Sequence, residues 1–89
     1  MERAWALAAP GETRLHFFSD GCAVFNPIRW ETHVIDLLVG TLIEALLEGP
    51  KSVPELVAIA LDASDLPVEE GALFVEATLV QLSGLDLVA

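Results

Sequence analysis

Two histidines, His16 and His33, and one cysteine, Cys22, are the residues of this 89-residue chain whose types could ligate a metal or act as a nucleophile or proton shuttle. With Asp20 or Glu31, the histidines could be read as metal ligands. They stand on separate extended runs with no cysteine or second histidine at ligand spacing, and ordinary histidines on a mixed sheet face account for both. Cys22 has no Cys-x-x-Cys partner and no basic neighbour to favour its thiolate, so it reads as a half-buried strand residue. Glu69, Glu70 and Glu76 could be imagined as an acid–base group. Glu69 and Glu70 are adjacent on a helix and point apart, and helix capping and solvation explain them. The glycines are scattered singly, so no loop can cradle a phosphate. The chain reads as having no catalytic residues, no metal ligands and no cofactor; it is not expected to be an enzyme.

Whatever the protein does must therefore rest on a surface. The length allows one small domain, residues 1–89, with one core. At 54% hydrophobic and 20% charged residues, the composition excludes a disordered tail and implies more apolar surface than a monomer of this size buries, hence a partner. Asp and Glu outnumber Lys and Arg by 14 to 4, a net charge of −10 that repels phosphate backbones and anionic lipid. Nucleic acid and membrane are not expected partners. Apolar runs such as Val34 to Leu47 are interrupted by Asp36, Gly40, Thr41 and Glu44 and fall short of the ~20 residues of a bilayer span. Met1 to Trp5 lacks a signal peptide's basic start and apolar stretch, and a lone cysteine fits a reducing cytoplasm.

The elements that carry this surface follow from pattern. Leu15 to Phe18 and Cys22 to Phe25 are aromatic and β-branched runs joined by Ser19-Asp20-Gly21, which has hairpin chemistry. Asn26-Pro27 leaves the second run, Arg29-Trp30-Glu31 turns, and Thr32 to Ile35 makes a third strand at the edge of the meander. Asp36 caps a largely apolar helix from about Leu37 to Glu48, with Glu44 and Glu48 on its wet side and Gly49-Pro50 as its stop. Ser52-Val53-Pro54-Glu55 is a capping box for a second helix carrying Leu56, Ile59 and Ala60. Asp65-Leu66-Pro67 with Glu69 and Glu70 opens a third helix, which Gly84 closes before a short extended tail. Three antiparallel strands followed by three helices make an α+β fold, with a helical layer against one face of a small sheet.

The third helix carries two apolar stripes where a surface helix needs one. Val68, Ala72, Val75, Leu79 and Leu82 form a core face. Leu73, Ala77 and Val80 form a second, separated from the first by Glu69, Glu76 and Ser83, with Phe74 on its flank. Three covers suit it: the N-terminal segment with Trp5 and Leu7 folded over it, a second copy of the chain, or a peptide lying between this helix and the strand edge at Thr32 to Ile35. A DNA reader would need Lys or Arg on this helix, and Val68 to Ser83 contains none.

Trp5, Asp20-Gly21, Phe25-Asn26, Thr32-His33 leading into Ile35-Asp36-Leu37, Leu42, Leu46-Leu47, Gly49-Pro50 and Leu82-Ser83-Gly84-Leu85 together resemble, over nearly the whole chain, the PqqD-like peptide chaperones. Within them the pattern is similar to the small subgroup encoded beside an HPr-kinase-related protein, the HPr-rel-A system. The resemblance implies a winged-helix-like module of the kind that serves as recognition element in the biosynthesis of ribosomally made, modified peptides. It would bind the leader of a precursor peptide by β-strand addition and present it to a modifying enzyme. By that resemblance Thr32, His33, Val34 and Ile35 match the edge strand that pairs with the peptide, and Leu73, Phe74, Ala77 and Val80 match the side of the last helix that receives its side chains. The alternative is a structural, homodimeric subunit joined through the second stripe. One departure stands out. Family members commonly read Ser-Gly just before the Thr-His pair, where this chain has Arg29-Trp30, and tryptophan in that turn either bears the steric cost of a positive φ or imposes another turn.

Overall fold

Alternation of buried and exposed side chains builds the main sheet. In a computed structural model that describes residues 4–89, β2 (Arg14–Phe18), β3 (Gly21–Asn26) and β4 (Glu31–Ile35) form an antiparallel sheet in the order β2-β3-β4. Met1, Glu2 and Arg3, which entered the reading of the N-terminus, lie outside the described residues. Cys22, Val24 and Asn26 of the central strand are fully buried on the face turned to the helices. Register puts Phe17 and Ile35 beside Cys22, and Leu15 and His33 beside Val24, so those residues share the inner face. The outer face carries His16, Ala23, Phe25, Thr32 and Val34.

Three helices follow: α1 (Leu37–Leu47), α2 (Val53–Asp62) and α3 (Val68–Gly84). The fold is the α+β arrangement read from the sequence. Asp36 caps α1, its Oδ1 accepting the Val39 N–H at 2.8 Å. Closely packed against the sheet, α1 leaves no room for a side chain at Gly40, where a Cβ would sit 2.8 Å from the Cys22 Cβ. The capping box on α2 is complete: Glu55 Oε1 accepts the Ser52 N–H at 2.9 Å and Ser52 Oγ accepts the Glu55 N–H at 3.3 Å. Those bonds, the backbone one foremost, hold the Glu55 carboxyl below the usual glutamate range.

The third helix departs from its reading at both ends. Its N-cap is Pro67, which has no side-chain acceptor, so Asp65 does not cap it; Glu69 and Glu70 remain in the first turn, where they complement the dipole. Its C-terminal stop comes from Asp86 rather than Gly84. Asp86 adopts φ 62°, and the Asp86 and Leu87 N–H groups bond back to the Ser83 and Leu82 carbonyls at 3.0 and 2.9 Å, a Schellman closure. Val75, Leu79 and Leu82 are buried as read, but Val68 is 76% exposed and Ala72 is exposed too. Val68 projects past the end of the core and Ala72 sits on its shoulder, while Gly71 and Thr78 occupy the buried stripe instead.

Two strands were not legible. β1 (Ala4–Trp5) pairs antiparallel with β5 (Lys51–Ser52), and Leu7 forms an isolated antiparallel bridge with Val88. The tail is therefore closed onto the N-terminal segment, with the Ala8 N–H donating to Leu87 O at 2.9 Å and the Ala89 N–H to Ala6 O at 3.0 Å. Leu7, Leu87 and Val88 join the same core as Leu42, Ile43, Leu56 and Leu82.

Candidate functional site: an open sheet edge and the outer face of the last helix

As an end strand, β4 pairs with β3 alone within its sheet, so among the described residues one row of its backbone groups meets no second strand. Thr32 and Val34 point to the outer face, where Val34 is 73% exposed. Ile35 points inward and packs against the core. His33 also points inward, and its Nε2 is buried without a hydrogen-bond partner among the described residues. The nearest carboxylate, Glu31 Oε2 two residues away on the same face, lies at 3.8 Å, beyond hydrogen-bond reach.

The turn that launches β4 is built by Asn26. Fully buried, it accepts the Ile28 and Arg29 N–H groups on Oδ1 at 3.0 and 3.3 Å, an Asx turn, and donates from Nδ2 to the Leu85 carbonyl. Arg29 continues the connection: its Nε meets Asp86 Oδ2 at 3.0 Å and its guanidinium donates to Gly84 O at 3.2 Å. The start of the open edge is thus tied to the end of α3. Trp30 closes the turn at φ 55°, a backbone region that costs a non-glycine residue about 1–2 kcal/mol. So the tryptophan bears the positive φ of this turn rather than imposing another backbone conformation there. Its ring is 83% exposed and meets Phe25 edge-on, with centroids 6.0 Å apart. Of these contacts only the Asn-Pro turn signal was visible beforehand; the pairing of Arg29 with Asp86 joins residues too distant in sequence for any local pattern to show.

Among the described residues, nothing covers the second stripe of α3. Leu73 and Val80 are 68% and 73% exposed, and Ala77 between them is exposed. Trp5 and Leu7 do not lie over it, because they are committed to β5, Val88 and the core. At about 100° per residue, Leu73, Ala77 and Val80 lie roughly half a turn from Val75 and Leu82 and point away from the protein. Phe74, on the flank, is half-buried and packs against the same core as Ile35 and Leu38. Of the eight residues singled out, Ile35 and Phe74 pack against one core, Val34 is exposed on the outer face of the sheet, and Leu73, Ala77 and Val80 are exposed on α3.

The residues with chemical potential do not converge. His16 and His33 lie on opposite faces of the sheet. Cys22 is fully buried, and burial pushes its thiol pKa up, so the reactive thiolate is disfavoured. Among the described residues no group of three or more His, Cys, Asp or Glu gathers at metal-binding distance, and no helix is long and apolar enough to cross a membrane. No family model, curated protein or solved structure matches this chain.

Proposed function

We propose that the protein is a non-catalytic peptide-binding module, in which an extended peptide joins the sheet at β4 as a further strand and is presented to a modifying enzyme. The observation that carries this reading is the edge itself. β4 is open along one side, exposes Val34 on its outer face, and begins at a strained, 83% exposed Trp30. Backbone bonds to Thr32, His33, Val34 and Ile35 would set register. Peptide side chains on the inner face would meet the His33 and Ile35 side, and those on the outer face would meet Val34. The buried Nε2 of His33 would then sit beside a strand able to offer it a polar partner.

The resemblance to PqqD-like chaperones supports the same reading and suggests the ligand: the leader segment of a ribosomally made precursor peptide. A winged-helix-like arrangement belongs to this proposal. Because the chain carries a net charge of −10, neutral or basic leader segments are favoured over acidic ones. The decisive measurement is an NMR titration of the labelled protein with a precursor peptide encoded beside its gene. Shifts should concentrate on Thr32 to Ile35, Trp30 and Phe74; shifts confined to other regions would sink the model.

A further inference from the structure

The outer face of α3 has a seam of its own. Leu73, Ala77, Val80 and Gly84 follow one another at spacings of four, three and four, the a/d rhythm of helix pairing. Large residues alternate with small ones along it, and a Cβ added at Gly84 would meet nothing within 4 Å, so another helix can approach closely. Leu73, Ala77, Val80 and Gly84 are all exposed among the described residues.

The flanks say what kind of helix fits. Glu69 and Glu76 run along one side of the seam, and Glu70 stands at its N-terminal end; all three are exposed. The helix carries no Lys or Arg, and among the described residues none of these three carboxylates is ion-paired. A second copy of the chain is a poor occupant. Antiparallel self-pairing about a two-fold axis would set the Glu76 flank against its own image, and no cation on the helix would compensate. Phosphate-bearing surfaces are repelled by the same charges.

We propose that this face binds an amphipathic helix of another protein, one whose apolar stripe is flanked by Lys or Arg. The seam lies on α3 and the open edge on the sheet, so binding at each can be read separately.

The probe is a synthetic amphipathic peptide of roughly 20 residues, long enough to sustain a helix, with a leucine stripe flanked by lysines; its control has glutamates in place of the lysines. The lysine peptide should bind at least about tenfold more tightly at low salt, lose most of that advantage near 1 M salt, and shift the amides around Leu73, Ala77 and Val80. Glu69→Lys/Glu76→Lys should invert the preference, and Leu73→Asp should remove binding of either peptide while thermal unfolding stays cooperative. Equal binding of the two peptides, or shifts centred on β4, would overturn the proposal. So would a dimer in solution that Val80→Glu converts to monomer, since the seam would then belong to a second copy. Failure of a precursor peptide at β4 in the same samples would count against the peptide reading alone.

Discussion

Two short extended segments border the core of this protein, and they end up in opposite conditions. The N-terminal segment is held on two sides: Ala4 and Trp5 against Ser52 and Lys51, then Leu7 against Val88, with the Leu7 side chain 4% exposed. β4 is held on one side, by β3, and presents Val34 to solvent with Trp30 standing at its start. Both segments contain apolar residues, so composition does not separate them. What separates them is whether the rest of the chain supplies a second neighbour. The closed margin consumes its hydrophobic side chains in stability, whereas the open one leaves both its backbone groups and its apolar side chains available for association.

Substitutions should affect these margins unequally. The largest effect is expected for Leu7→Ala, which removes a buried side chain from the closed margin: a loss of about 2–5 kcal/mol in urea unfolding. A loss under about 1 kcal/mol would mean that the terminal closure is dispensable. At the open margin, Trp30→Gly relieves a positive φ worth about 1–2 kcal/mol. It gives up an edge-to-face contact worth about 0.5–1.5 kcal/mol. Glycine's greater unfolded-state entropy adds a penalty of about 0.5–1 kcal/mol. Stability should therefore change by no more than about 1.5 kcal/mol in either direction, while affinity for a bound peptide falls severalfold in calorimetric titration. A large stability loss with unchanged affinity would reverse the contrast between the margins.

The smallest effect concerns the capping box beside the closed margin, where Ser52 both pairs with Ala4 and binds Glu55. The Glu55 pKa is lowered in the fold, so the unfolded chain binds its proton more readily. The resulting stabilisation is present in full above the unfolded-state pKa, about 4.3, and is lost as pH falls through the lowered value. Glu55→Gln should accordingly flatten the decline of Tm between about pH 5 and about pH 3. An unchanged acid limb would show that the box does not contribute to the pH dependence.

Local chemistry was readable wherever cause and effect lie within a few residues. Asp36 as an N-cap, Ser52 with Glu55, the hairpin at Ser19-Asp20 and the apolar rhythm of Val75, Leu79 and Leu82 all act over one helical turn or one strand pair. The misreadings share the opposite feature. Val68 and Ala72 have the periodicity of a core face, yet periodicity says nothing about where the core ends. Gly84 looked like the helix stop because glycine favours left-handed backbone, but Asp86 adopts that conformation and Arg29 faces its carboxylate across the chain. Of the candidate site, the edge character of β4 and the existence of a second stripe on α3 were legible; that the stripe points away from the core and stays uncovered was not.

The sequence by itself determined the order of three strands and three helices, the caps that start α1 and α2, and the excess of apolar and acidic residues. These depend on backbone preferences and side-chain periods that act over short distances. Only the tertiary structure decided that the segment around Leu7 closes on Leu87 to Ala89 rather than over α3, and that the turn at Trp30 is fastened to the end of α3. Those outcomes depend on hydrogen bonds and burial between segments far apart in the chain, where each residue's surroundings are set by the whole fold.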